Sequence, residues 1–328
     1  MRLPLSTVSA PLRNCCLFWS NRLSFGDVAR LVEQLSGAKL LSEDSLWRLC
    51  QQEAARLDAA QMALIQESTA LPEPAYVAGQ DLYDENAAEF LVLTDGIGVK
   101  AQKPTREKQG TCKSLKVEKR HETDVLLLPR RAGGEQVLCE GVSECWSLVE
   151  SARAFVRREW QEGLAPVVAI TDGAKSIRQA LSSLFGEGVR VVLDWYHLKQ
   201  RVYQQLSMAA HSMQEREAWE QVALALLWRG KVADARAFLS GLSVRNSKAH
   251  SDLLGYLDKH ALEIIDYERR QQAGKPIGSG RMEKCVDQVV GHRQKGKGMS
   301  WTKAGSRALA LLRVAELNAC PSLPRQPA

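Results

Sequence analysis

Two apolar runs near the middle of the chain, Val167-Val168-Ala169-Ile170 and Val189-Arg190-Val191-Val192-Leu193, each stop at or beside an aspartate, Asp172 and Asp194. A carboxylate at the C-terminal edge of a parallel strand is where open α/β sheets build active sites. Asp95 closes an earlier apolar run, Glu89 to Thr94, and Glu283 opens a helical segment after Gly278-Ser279-Gly280. Asp95, Asp172 and Glu283 offer hard oxygen donors of the kind that hold Mg²⁺ or Mn²⁺. Two such ions roughly 3.5 to 4 Å apart can activate an attacking oxygen and stabilise the leaving oxygen of a phosphodiester. Each acid alone also has a plain structural reading. Asp95 before Gly96 suits a turn, and Glu283 suits the positive end of a helix dipole. Asp194 ends a strand as Asp172 does, so it stands as an alternative second acid of the set.

The elements that must position these acids follow from periodicity. Residues 1–23 read as an irregular leader. From Ser24, Val28, Leu31, Val32 and Leu35 recur at helix spacing, Gly37 interrupts, and Ser42 can cap a second helix carrying Leu46, Leu49 and Leu57. This pair over 24–65 has the form of a helix-turn-helix, or of an ordinary helical hairpin. Residues 66–88, with Pro72 and Pro74, read as a linker. A strand over Glu89 to Thr94 is expected to turn at Asp95-Gly96 and return over Ile97 to Ala101, with a third strand over Asp124 to Pro129. A helix from about Ser143 to Trp160 precedes the strand ending at Asp172. Ile177, Ala180, Leu181, Leu184 and Phe185 then form an amphipathic stripe before the strand ending at Asp194, which completes a βαβ unit with its two strands parallel.

The resulting order, β-β-β-α-β-α-β, matches the ribonuclease H-like fold, a mixed sheet in which an antiparallel meander is extended by parallel strands. Its core would occupy 89–197, with an all-helical insertion over 198–273. The chain would return to the core over 274–320 and end in a disordered tail, 321–328. In such a fold the three carboxylates can converge.

Lys and Arg total 44 against 38 Asp and Glu, a net charge of +6 that is compatible with a polyanionic partner without requiring one. The charge is clustered. Lys100, Lys103, Arg106, Lys108, Lys113, Lys116, Lys119, Arg120, Arg130 and Arg131 make one group, and Lys284, Arg293, Lys295, Lys297, Lys303 and Arg307 another. No stretch approaches the roughly 20 apolar residues of a membrane span, so a soluble protein is expected. The eight cysteines lack paired two-residue spacing, which argues against a zinc ribbon or a thioredoxin-type motif and for a reducing cytoplasm. Gly291 to Lys297 copies the Walker spacing, but Gly298 follows where Ser or Thr is needed, so a nucleotide loop is not expected.

Several blocks carry a resemblance: Asp95-Gly96, Thr171-Asp172-Gly173-Ala174-Lys175, Asp194-Trp195-Tyr196-His197, Ile277-Gly278-Ser279-Gly280-Arg281-Met282-Glu283 and Lys297-Gly298-Met299-Ser300-Trp301. Together, across about residues 24–319, they resemble the motifs of bacterial insertion-sequence transposases of the DDE type, in the group related to Mutator-like transposases. The resemblance implies two-metal-ion DNA cleavage and strand transfer, with Asp95, Asp172 and Glu283 as catalytic and metal-binding acids and Mg²⁺ or Mn²⁺ as cofactor. It also implies element ends and target DNA as double-stranded partners, and a homo-oligomer during synapsis. The location would be cytoplasmic, on the nucleoid when bound to DNA. Asp194 and His197 match the family's motif beside the active site, for DNA positioning or local structure, although His197 also suits a hydrogen-bonded helix cap. Arg293, Lys295 and Lys297 would contact DNA phosphates, and Trp301 would stack on a base or pack in the core. Alternatives are a catalytically inactive remnant or DNA-binding regulator, and a nuclease without strand transfer.

Overall fold

The computed structural model describes residues 8–77, 81–103 and 119–319. Arg106, Lys108, Lys113 and Lys116 of the first basic cluster, and the tail 321–328, lie outside the described residues. The chain forms two compact units. One comprises Met1–Glu73, Asp95–Gln161 and Arg281–Ala328; the other comprises Pro74–Thr94 and Glu162–Gly280.

The first unit begins with a difference from the sequence reading. The expected irregular leader contains a helix, α1 (Ala10–Ser20), opened by Pro11 in its first turn. It is there because Cys16 packs with Val28, Val32, Leu41, Leu46 and Leu49 in one small core. Helix α2 (Phe25–Ser36) starts where Ser24 Oγ accepts the Asp27 amide, and it ends at Gly37, whose φ of 70° only glycine adopts freely. Ser42 caps α3 (Glu43–Ser68) in the same way, accepting the Ser45 amide. Helix α3 runs for 26 residues and is no exposed probe. Its Cys50 and Ala54 pack on Ala308, Leu309 and Leu312 of the last helix, α13 (Lys303–Ala319). Buried Asp58 accepts the amides of Val142 at 2.9 Å and Ser143 at 3.3 Å.

The described residues carry a five-stranded mixed sheet in the order β3-β2-β1-β4-β5. Its first strand corrects an expectation. β1 (Phe90–Lys100) is continuous, with no hairpin turn at Asp95-Gly96. A two-residue hairpin of that kind needs positive φ at both central residues, and neither Asp95 nor Gly96 has it. Gly96 serves close approach instead: a Cβ there would stand 2.7 Å from an Asp124 carboxylate oxygen. The expected second strand over Ile97 to Ala101 is therefore the second half of β1, the expected third is the second strand of the sheet, and a strand not expected completes the meander. It is β3 (Glu135–Cys139), which pairs antiparallel with β2 (Arg120–Pro129) after a turn through Gly133 and Gly134 at φ 89° and 83°.

Helix α4 (Leu148–Glu159) follows, with a complete capping box from Ser147 and Glu150. In the second unit β4 (Val167–Thr171) is buried at every position, as expected of a parallel strand covered on both faces. It pairs in parallel with β1 through Phe90 to Leu93 and with β5 (Arg190–Leu193) on its other side. Between β4 and β5 lies α5 (Lys175–Phe185), whose Phe185 ring stands 5.9 Å from that of Phe90. A helical segment then runs through α6 (Trp195–Ala209), α7 (Met213–Trp228), α8 (Val232–Ser240), α9 (Ser247–Lys259) and α10 (Tyr267–Gln272). It is tied to β5. Leu193 donates its amide to the Glu263 carbonyl at 2.9 Å, and the buried Tyr267 hydroxyl donates to the Leu193 carbonyl at 2.8 Å. Helix α11 (Gly280–Val286) comes next, then a π-turn and the short α12 (His292–Gln294).

Candidate functional site

In the second unit the two strand-end aspartates differ in kind. Asp194 is fully buried and is the N-cap of α6, accepting the amides of Tyr196 at 2.6 Å and His197 at 3.1 Å on one oxygen. Its other oxygen accepts both the amide and the hydroxyl of Ser279. Burial pushes this carboxyl up, but hydrogen bonds from His197 and Ser279 outweigh it and bring it down to about 2. The carboxylate is saturated, so it has no lone pair left over for a metal. Asp194 thereby has a local structural role. It ties the start of α6 to the loop before α11, together with the bond from the Trp195 amide to the Ile277 carbonyl at 3.1 Å. Gly278 is fixed by the same contact, since a Cβ would meet the Tyr196 ring at 2.5 and 2.7 Å. His197 is half-buried, its Nδ1 3.7 Å from Asp194 Oδ2.

Asp172 is half-buried, and a single oxygen is used locally, accepting the Ala174 amide at 2.8 Å. The turn it sits on is braced from below. Gly173 has φ 82° and lies against the His260 ring, leaving no room for a side chain. Arg178 donates to the Gly173 carbonyl at 2.8 Å and pairs with Glu263 at 3.2 Å, while His260 Nδ1 bonds Glu263 at 2.5 Å. Residues 178, 260 and 263 share no motif and meet only in three dimensions, so no sequence pattern announces this brace.

In the first unit Asp95 lies within β1 rather than at a strand end; it is half-buried and accepts the Gly96 amide at 2.8 Å. Beside it stands Asp124 on β2, an acid the sequence reading passed over as a strand residue. Burial pushes the Asp124 carboxyl up, the neighbouring Glu140, Glu122 and Asp95 add to the effect, and Arg307 opposes it. Glu283 is exposed in the first turn of α11. By donor type these carboxylates suit a hard divalent cation. Among the described residues, however, no group of three or more His, Cys, Asp and Glu stands close enough to hold a metal ion.

The basic residues divide sharply. Arg293 is not a surface contact: only 5% exposed, it donates Nε to the Ser20 carbonyl at 2.7 Å and lies over the rings of Phe25 and Trp301. Its neighbours in sequence, Lys295 and Lys297, are basic and exposed, and nothing local marks Arg293 as a core residue. Trp301 likewise packs, with Nε1 donating to the Gln294 carbonyl at 2.9 Å. Arg307 is buried and paired with Glu140 and Glu144. Lys295 and Lys297 remain exposed. The structure also joins the two basic segments, since Trp301 donates its amide to the Lys100 carbonyl and accepts from the Gln102 amide, at 2.9 and 2.8 Å. Exposed Lys100, Lys103, Lys119 and Arg120 thus belong to the same region of this unit as Trp301 and the lysines that precede it.

No protein-family model matches the chain, and no curated protein matches it. Among the described residues, no helix is long and apolar enough to cross a membrane.

Proposed function

We propose that the chain is a DDE-type DNA transposase of an insertion sequence, with a ribonuclease H-like core, cutting DNA and joining the freed 3′-hydroxyl to a target. The observation that carries the reading is the parallel register of β1 and β4. Leu93 pairs with Ile170 within the second unit, and Asp172 stands just past the C-terminal end of β4, where parallel sheets place their working acids. The sheet order, the helical segment between β5 and α11, and the blocks that resemble the transposase motifs point the same way. Asp95, Asp172 and Glu283 are the acids that the resemblance assigns to Mg²⁺ or Mn²⁺, although they form no single metal-binding group among the described residues; the unused oxygen of Asp172 suits that role and the saturated Asp194 does not. When bound, two such ions supply activation of an attacking oxygen and neutralisation of a leaving one. Lys100, Lys103, Lys119, Arg120, Lys295 and Lys297 would bind the DNA backbone. For α2 and α3 to read DNA as a helix-turn-helix, exposed Arg30 and Arg48 would have to exchange Asp27 and Asp44 for phosphates. The acids Glu43 and Asp44 in the first turn of α3 oppose entry of that end into a groove.

The test is Mg²⁺-dependent cleavage of DNA carrying the element ends, compared between the chain and Asp172→Asn. Cleavage lost in the variant, with DNA binding kept, is the expected result; full cleavage by the variant would refute the assignment. A second reading is a DNA-binding remnant without catalysis, favoured by the scatter of the acids among the described residues. It predicts binding with no cleavage by either protein. Joining of cut ends to a target plasmid separates a transposase from a nuclease.

A further inference from the structure

Among the buried and half-buried arginines on the helices of the second unit, one lacks what the others have. Arg178, Arg216 and Arg270 are half-buried or buried, and each is paired with a carboxylate: Glu263, Glu217 and Glu89. Arg201 on α6 is also half-buried, and its Nε, like those of Arg178 and Arg216, is shut off from solvent with no hydrogen-bond partner. Among the described residues no carboxylate pairs with it. Its guanidinium lies over the Tyr256 ring of α9, 5.5 Å from the centroid, and the other neighbour of that ring is His260, at 4.5 Å. A guanidinium drawn partly out of water without a counter-charge is costly, and a π-face offsets only part of that cost. Such a group is pre-organised for an anion.

The surroundings indicate which anion. Burial pushes the Tyr256 phenol up to about 12, so at neutral pH it is a hydrogen-bond donor. His260, which packs on the Tyr256 ring, also lies against Gly173, so the Tyr256 ring is one side chain away from the Asp172 turn. Arg178 is already committed to Glu263 and the Gly173 carbonyl, leaving Arg201 as the open cation. A planar donor fork and a phenolic O–H on adjacent helices suit the non-bridging oxygens of a phosphodiester.

We propose that Arg201 and Tyr256 form a binding site for one phosphodiester of a DNA strand, near the Asp172 turn. The proposal rests on the reading of Asp172 as a catalytic acid. Both residues belong to the helical segment, which thereby acquires a substrate-binding role beyond supporting the end of β5.

The test is fluorescence anisotropy of the full chain with a labelled 40-base-pair duplex, over a series of salt concentrations without divalent metal, for the parent, Arg201→Ala, Arg201→Lys and Tyr256→Phe. Arg201→Ala should weaken binding roughly tenfold and reduce the log–log salt slope by about one. Arg201→Lys should restore the slope but not the whole affinity, and Tyr256→Phe should weaken binding by about fivefold with the slope unchanged. Thermal unfolding of each variant separates a packing effect: a lower midpoint with an unchanged slope in both Arg201 variants would overturn the site. Calorimetry with inorganic phosphate provides a further arm. An Arg201-dependent phosphate site with unaltered DNA binding would make it a free-anion site and overturn the DNA assignment. Failure of the parent chain to bind DNA would overturn the transposase reading itself, and the site with it.

Discussion

Asp172 and Asp194 occupy equivalent places just beyond neighbouring parallel strands, yet their surroundings assign them opposite work. Asp194 spends every acceptor on the protein, closing α6 onto the loop that leads to α11. Asp172 uses one oxygen, for the Ala174 amide, and the turn it sits on is held by Arg178, His260 and Glu263. A strand-end carboxylate is therefore not a functional residue by position alone; what distinguishes the two is how many of its hydrogen bonds the fold already uses.

The sharpest way to break this contrast is Asp172→Asn. Cleavage should fall by at least about 10³-fold, as for a member of a catalytic set that acts as a unit, with the unfolding midpoint unmoved. A stability loss without an activity loss would reverse the roles. Asp194→Ala should do the converse, costing about 3 kcal/mol in urea unfolding because the Ser279, Tyr196 and His197 donors lose a buried acceptor. The same carboxylate sets a pH window. Its folded value is depressed, so its stabilisation is present above the unfolded value near 4 and is lost as pH falls toward 2, amounting to about 2 kcal/mol. Unfolding free energies at pH 6, 4 and 3 should show the loss in the parent chain and not in Asp194→Asn.

The two glycines sharpen the comparison further. Gly173→Ala should cost more than Gly278→Ala, because it meets His260 and must also hold a left-handed φ, adding about 1–2 kcal/mol. Equal midpoints for the two variants would show that the Asp172 turn is free to relax. The smallest effects belong to the first unit. Lys295→Gln and Lys297→Gln should each lower the salt slope of DNA binding by about one without changing stability.

Much of the scaffold was legible because it is written locally. The caps at Ser24 and Ser42, the stop at Gly37, the amphipathic α5 and the run of helices after β5 all follow from spacing and side-chain type within a few residues. Asp95-Gly96 misled, because a pair that makes turns in isolation is here held straight by pairing, its glycine giving room to Asp124. Strand β3 was missed for being short, and α1 for lacking a clear stripe, its order coming from the core around Cys16.

What the sequence by itself determined was the alternation of strands and helices and the short list of acids that could matter, because both depend on neighbours in the chain. Only the tertiary structure decided that Asp194 is a saturated cap, that Arg293 is a core residue and that Arg201 is a half-buried cation without a carboxylate. The reason is physical: how far a polar group is satisfied depends on partners such as Ser279 for Asp194 and Ser20 for Arg293, which folding brings together from distant parts of the chain.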